Sequence, residues 1–293
     1  MKVLVIYGGY GLSEEALVSE KSGERVLKAC KEVGIDAVGF KLTSENVYEL
    51  KSEVVGYDVV LPILHGSFGE DGQIQKILDD LGIKYLGSGE KSSKICFDKI
   101  VTKEILKNNN ILTPEWGRVT TEKDLDNIVF PAVVKPNRGG SSIGVVIAKN
   151  RDDLKNLDLS EPLMTEEYIE GQELTVGILG NQALSVVEII PNQGEWFDFK
   201  NKYNNLTQEN VPPKHLSQDI QKQAQELALK VHQVCGCRHL SRVDMILKDN
   251  QLYVLEINTM PGLTEESLYP KSAKAMGLSM PKLIEQLANS ANK

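Results

Sequence analysis

The sequence predicts an open α/β unit followed by two α+β units, and three observations carry that expectation. Residues 3–7, VLVIY, form a continuous apolar run ending at Gly8-Gly9, the pattern of a strand buried on both faces of a parallel sheet. Strand-like and helical stretches then alternate to about residue 88, as in an α/β unit. From about Lys91 the character changes, and after ILTP (111–114) short strands are grouped together. At 293 residues the chain exceeds what one compact core usually takes, so two or three domains are expected. The boundaries read as 1–88, 89–167 and 168–293.

Taken in order, Val26, Leu27, Cys30 and Val33 share one helical face and Gly34 ends that helix. DAVGF (36–40) and YDVVLPIL (57–64) read as strands, and Ile74, Ile77, Leu78 and Leu81 as the inner face of a helix closed by Gly82. Asp98 is placed to cap a helix through KIVTKEILKNNN. PAVVK, IGVVIA and PLMTEEYI follow as short strands, then ELTVGIL (173–179) and a variable stretch with EWFDFKNKYNN (195–205). Ile220, Ala224, Leu227, Val231 and Val234 have the 4-3-4-3 spacing of an amphipathic helix. RVDMIL and QLYVLEIN close the third unit as strands.

Composition bounds function. Hydrophobic residues are 41% and charged residues 25%, with a net charge of -8. Acidic and basic residues are mixed along the chain, which argues against a general nucleic-acid surface. No signal peptide or membrane span is visible, so a cytoplasmic protein is expected. Cys30, Cys96, Cys235 and Cys237 match no zinc or redox spacing and read as free thiols.

In an open α/β unit, ligands sit at the carboxyl ends of the strands. This points to GGYGLSEEALVS (8–19) and HGSFGEDG (65–72). GGYG lacks G-x-G-x-x-G spacing, so a dinucleotide site is disfavoured.

The clearest chemistry lies in SRVDMILKDNQLYVLEIN (241–258). KDNQ is a good hairpin turn. Strand alternation puts Arg242 and Asp244 on one face, and Glu256 and Asn258 likewise. With the turn centred on Asn250, Asp244 faces Glu256 and Arg242 faces Asn258; a one-residue slip breaks the match. Two carboxylates and an amide oxygen are hard ligands, too few to enclose a cation alone. They suit Mg²⁺ completing its shell with substrate phosphates. The competing reading is a solvated polar face with a salt bridge. Val243, Met245, Leu255 and Ile257 on the other face mark the hairpin as packed, which favours a site.

KPNRGGSSIG (135–144) follows a strand. Lys135 ends that strand, and the glycines and serines offer N–H groups and hydroxyls to phosphate; the alternative is an ordinary turn. Lys99 is a second phosphate cation or a surface lysine. TEEYIEGQE (165–173) offers acceptors for an adenine amino group and a ribose, or is a charged linker.

Together VVKPNRGGSSIGV, TEEYIEGQELTVGIL, FKNKY, SRVDMIL and LEINTMPGLTEESL, with HGSFGEDG and SGEKSSKICFDK before them, resemble in order and spacing the D-alanine–D-alanine ligases of the ATP-grasp superfamily. The resemblance spans nearly the whole chain. It implies an N-terminal substrate domain followed by the two ATP-grasp domains. It also implies ATP-dependent ligation of two D-alanines through an acyl phosphate, for bacterial peptidoglycan precursors. ATP would be a substrate, two Mg²⁺ ions the cofactor with Mn²⁺ able to substitute, and the enzyme a cytoplasmic homodimer without nucleic-acid or membrane partners.

Carried over by motif, Lys99, Lys135 and Ser141 would contact the ATP phosphates, and Lys202 the γ-phosphate. Glu166 and the Ile169 backbone would read adenine, Glu173 the ribose, Glu167 would also belong to the ATP site, and Trp196 would pack near the base. Asp244, Glu256 and Asn258 would hold the metal ions. Arg242 would meet the acyl phosphate and the tetrahedral intermediate. His65 would lie beside the first substrate, Ser267 and Leu268 at the second substrate's carboxylate, and the Gly262 backbone at the oxyanion. Tyr203, linked to Ser141 and an N-terminal glutamate, resembles the dipeptide-forming ligases rather than those making a D-lactate ester. Residues 194–213 would form a lid.

One stretch departs from the family. Its E-x-E-V-S becomes SEEALVSEKSG (13–23) here, with Leu17 at the second glutamate. Glu15 is the expected holder of the first substrate's amine and Glu14 the runner-up, unless both are helix-start surface acids. The alternatives to the leading reading are a related ligase using D-serine or another second substrate, and an inactive nucleotide-binding regulator.

Overall fold

The computed structural model describes residues 1–9, 14–190 and 208–293. Its first unit runs β1 (Lys2–Gly8), α1 (Glu14–Glu32), β2 (Asp36–Leu42), α2 (Leu50–Glu53), β3 (Val59–Pro62) and α3 (Gln73–Asp80). The three strands form a parallel sheet in the order β2-β1-β3. Val3, Val5, Leu61 and Ile63 face Val26, Ala29 and Cys30 of α1, while Leu4, Ile6 and Val60 face Leu50, Val54, Ile74 and Leu78. Burial on both faces explains why VLVIY is apolar at every position.

The second unit contains α4 (Glu90–Phe97), α5 (Lys99–Asn108), β4 (Trp116–Val119), β5 (Ala132–Pro136), β6 (Val146–Ala148) and β7 (Leu163–Glu167). Its antiparallel sheet has the order β4-β7-β5-β6. Asp98 caps α5 by accepting the Val101 N–H at 3.2 Å.

The third unit contains β8 (Gln172–Leu179), β9 (Gln182–Ile190), β10 (Gln208–Asn210), α6 (Gln218–Val234), β11 (Leu240–Lys248), β12 (Gln251–Asn258) and α7 (Leu268–Ala275), and the chain closes with α8 (Met280–Ala291). The sheet order is β10-β9-β8-β11-β12. Ile220, Ala224, Ala228 and Val231 of α6 pack on it. The last helix returns to the start of the chain: Leu283, Ile284, Leu287 and Ala288 join the core of Val3 and Val5. Cys96 of α4 lies 3.6 Å, sulfur to sulfur, from Cys237, and all four cysteines are free.

The β11–β12 hairpin has the register Arg242↔Asn258 and Asp244↔Glu256. Asp249 and Asn250 take the left-handed conformation at its turn (φ 49° and 60°), as a tight hairpin requires. A bulge follows Asp244, so Met245 pairs with Val254. This corrects one expectation. Leu255 does not share the packed face; Val254 fills the core instead, and Leu255 lines a cavity. The extra residue of a bulge offsets the alternation of side chains beyond it. Trp196, Lys202 and Tyr203, and most of the expected lid, lie outside the described residues. Its described end, Gln208–Asn210, is an edge strand on β9.

Candidate active site

Two adjoining cavities lie where the three units meet. The first is polar and lined by Glu15, His65, Glu70, Arg242, Gly262 and Ser267, among others. The second lies between the β5–β7 sheet and the third unit, with Val133, Ile147, Ile169, Ile246 and Leu255 supplying apolar surface. Lys99, Gly139, Gly140, Glu173, Asp244 and Glu256 line both.

The glycine loop is fastened to the start of α5. Asn137 accepts the Ile100 N–H (2.9 Å) and donates to Asp98 (2.9 Å), and Arg138 Nε donates to Asp98 at 3.2 Å. Lys99 Nζ donates to the Gly139 carbonyl at 2.6 Å and lies 3.8 Å from Glu256. Burial pulls the Lys99 ammonium below its ordinary range, against the attraction of Glu256. Beyond Gly139, Ser141 and Ser142 sit at φ 56° and 58°.

Lys135, at the end of β5, pairs with Glu166, whose other carboxylate oxygen meets Lys103. Burial opposes ionisation of Glu166, but Lys103 and Lys135 override it and hold its pKa at about 2. Burial also opposes the charge on Lys135, yet Glu166, Glu256 and Asp244 raise its pKa. Ile169 is buried beside this network. The Glu167 side chain is exposed, and its N–H is taken by the Glu115 carbonyl at 2.8 Å.

On the hairpin face, Arg242 grips Asp244 bidentately, Nε to Oδ1 at 2.9 Å and Nη2 to Oδ2 at 2.7 Å. Thr175 donates to Asp244 Oδ1 at 2.5 Å. Asn258 Oδ1 accepts the Met260 N–H at 2.8 Å. Among the described residues, no three His, Cys, Asp or Glu side chains assemble a metal site. Asp244, Glu256 and Asn258 still offer three hard oxygen groups at the junction of the cavities. That donor set fits a Mg²⁺ ion that draws its other ligands from water and phosphate.

In the first cavity, Glu15 in the opening turn of α1 rests over Gly66 and beside Gly140. Burial raises its pKa and Lys99 lowers it. Glu14 is exposed and outside the cavity, and Leu17 is exposed. His65 is held neutral, with a pKa near 4, chiefly by burial. Its Nε2 is buried without a partner among the described residues. Ser267 stands at the N-cap position of α7, but its hydroxyl turns back to accept the Thr264 N–H at 3.1 Å rather than an N–H of the helix. A Cβ on Gly262 would come within 2.7 Å of the Ser267 hydroxyl, which reserves that position for glycine. Ser267 and Leu268 present a helix N-terminus to the cavity, a favourable place for a carboxylate.

With this geometry in hand, similarity to known proteins becomes specific. The family model described as "D-ala D-ala ligase C-terminus" matches residues 104–289, and "D-ala D-ala ligase N-terminus" matches 41–88. The chain is 42% identical to a D-alanine–D-alanine ligase of Pseudothermotoga lettingae, with 99% of each chain covered. The chain belongs to the D-alanine–D-alanine ligase family. A Clostridium perfringens family member is 37% identical over 98% of this chain and 97% of its own. The Bacillus anthracis D-alanine–D-alanine ligase complexed with ATP superposes with a TM-score of 0.85 at 33% identity, covering 99% of this chain and 96% of that one. The VanG D-Ala:D-Ser ligase of Enterococcus faecalis superposes with a TM-score of 0.84 at 26% identity, covering 99% of each. The fold is that of the ATP-grasp ligases. No helix among the described residues is long and apolar enough to cross a membrane.

Two residues of this family member's site region, Glu70 lining the first cavity and Lys103 behind the cavities, carry no role in the sequence reading. Glu70 accepts the Gly66 N–H at 2.7 Å, and burial lifts its pKa to about 8. It lies within HGSFGEDG, where His65 alone drew attention. Lys103 is fully buried. Its signal was the four-residue spacing from Lys99, which puts both lysines on one face of α5.

Proposed function

We propose that this chain joins two D-alanines into D-alanyl-D-alanine, converting ATP to ADP and phosphate, for peptidoglycan precursors. The observation that carries this is the shared wall of the two cavities. An apolar, carboxylate-edged cavity suited to a nucleotide meets a polar one across Lys99, Asp244 and Glu256.

In this reading residues 1–88 serve the first substrate, and 89–167 and 168–293 close on ATP. Glu166, Glu167 and the Ile169 backbone face the adenine, Glu173 the ribose, and Lys99, Lys135 and the Ser141 loop the phosphates. Trp196, Lys202 and Tyr203 take the roles the family resemblance gives them. Glu15 holds the first D-alanine's amine near neutral His65. The first carboxylate attacks the γ-phosphorus, with lysines offsetting charge on the phosphoryl oxygens. Asp244, Glu256 and Asn258 would hold Mg²⁺, with Mn²⁺ able to substitute, and the ion would neutralise phosphate charge when bound. The second D-alanine, its carboxylate at Ser267 and Leu268, attacks the acyl phosphate through its deprotonated amine. Arg242 and the Gly262 N–H stabilise the oxyanion that forms. We place the enzyme in the cytoplasm as a homodimer.

The test is phosphate release by purified protein with ATP, Mg²⁺ and D-alanine alone, with the dipeptide identified by mass. Turnover only when D-alanine is supplemented by D-serine or another acceptor would overturn this reading. ATP binding without phosphate release from any amino-acid mixture would instead support a nucleotide-binding regulator.

A further inference from the structure

Lys103 is wholly buried, and its Nζ meets three acceptors: a Glu166 carboxylate oxygen, the Thr113 hydroxyl, and the Val254 carbonyl at 3.1 Å. The Thr113 and Val254 contacts are hydrogen bonds, and the Glu166 contact is a close, fully buried ion pair. Thr113 in turn donates to the same Val254 carbonyl at 2.7 Å. From α5, Lys103 is therefore tied to β7, to the segment entering β4, and to β12. Lys135 differs. It contacts Glu166 through the other oxygen and borders the nucleotide cavity. One carboxylate thus stands between two ammonium groups, of which one is fixed and one faces the cavity.

If Glu166 had only Lys135, moving that ammonium to a phosphate would strand a buried carboxylate, which is strongly unfavourable. A second, fixed cation removes this penalty. We propose that Lys103 is a positioning residue of the nucleotide site: it holds Glu166 against the adenine and lets Lys135 exchange Glu166 for a phosphate oxygen. This rests on the reading that Glu166 and Lys135 take ATP.

The experiment is steady-state kinetics with ATP and with inosine triphosphate, which lacks the amino group that a carboxylate would accept from. Lys103→Met should raise the ATP KM on the order of tenfold to a hundredfold, the range for a lost charge-assisted contact. It should change kcat less, and it should shrink the preference for ATP over inosine triphosphate. Thr113→Val, which keeps the charge and the side-chain shape, should move both readouts the same way by a smaller factor, and it serves if Lys103→Met fails to fold. In a Glu166→Gln background, Lys103→Met should add less than it does alone. An ATP KM within twofold of the parent, an unchanged nucleotide preference in both Lys103→Met and Thr113→Val, or full additivity with Glu166→Gln would each overturn the inference. If Glu166→Gln itself left ATP KM and preference unchanged, the underlying placement of Glu166 would fall instead.

Discussion

Gly66→Ala tests the placement of Glu15 without touching Glu15. Gly66 has φ +70°, and a Cβ built there lands inside the Glu15 carboxylate, far closer than van der Waals contact. The obstructing atoms are the tip of a flexible side chain, so the clash is relieved by Glu15 swinging away, by about an ångström or more. The stability cost should be near the ~1–2 kcal/mol of a left-handed alanine. The functional cost should be larger, because ångström-scale misplacement at a reacting centre costs about 10²-fold. The expected result is a loss of about 10²-fold in kcat/KM for the first D-alanine, with the ATP KM nearly unchanged. Gly56→Ala is the control: its φ is +88° and nothing lies within 4 Å, so it carries the backbone strain alone and should keep parental kinetics. Gly140→Ala, whose Cβ would sit 3.1 Å from Glu15, should give a milder loss. A folded Gly66→Ala enzyme with D-alanine kcat/KM within threefold of the parent would remove Glu15 from the substrate-amine role.

Three further outcomes are expected. Glu70 has a folded pKa of about 8 against an ordinary value of 4.5, so the folded state holds its proton between those values and loses that stability as pH rises through the window. Glu70→Gln should therefore gain melting temperature relative to the parent steadily from about pH 4.5 to 8, and a difference independent of pH would contradict the burial argument. Thr175→Val removes the hydroxyl that orients Asp244 and should raise the Mg²⁺ needed for half-maximal activity about tenfold, as titration would show. Ser217 caps α6 by accepting the Ile220 N–H at 3.3 Å, so Ser217→Ala should lower stability by about 1 kcal/mol in urea unfolding without altering kinetics.

What the sequence revealed depended on the range of the interactions. The hairpin register was legible because KDNQ marks the turn and pairing counts outward from it, giving Asp244↔Glu256 and Arg242↔Asn258. The bulge after Asp244 was not legible, since no glycine or proline signals it, and Leu255 was consequently assigned to the wrong face. The Asp98 cap was local and legible; its second task, fastening Asn137 and Arg138 some forty residues on, was not. The return of α8 to the first sheet likewise depends on a pairing of apolar faces across the length of the chain, which periodicity alone cannot specify.

Charge gives these contacts one logic. A site for triphosphate needs cations, yet cations crowded in a buried cleft repel one another and lose hydration. Here two of the cations expected at phosphate or acyl phosphate are paired with carboxylates: Lys135 with Glu166, and Arg242 with Asp244. Each carboxylate also has a second partner that is not expected to touch phosphate, Lys103 for Glu166 and the Thr175 hydroxyl for Asp244. Substrate phosphate can then draw on Lys135 and Arg242 without stranding either carboxylate. The second partners, rather than the phosphate cations themselves, are what make that exchange inexpensive, which is why Lys103 and Thr175 should matter to nucleotide and metal binding although neither borders either cavity.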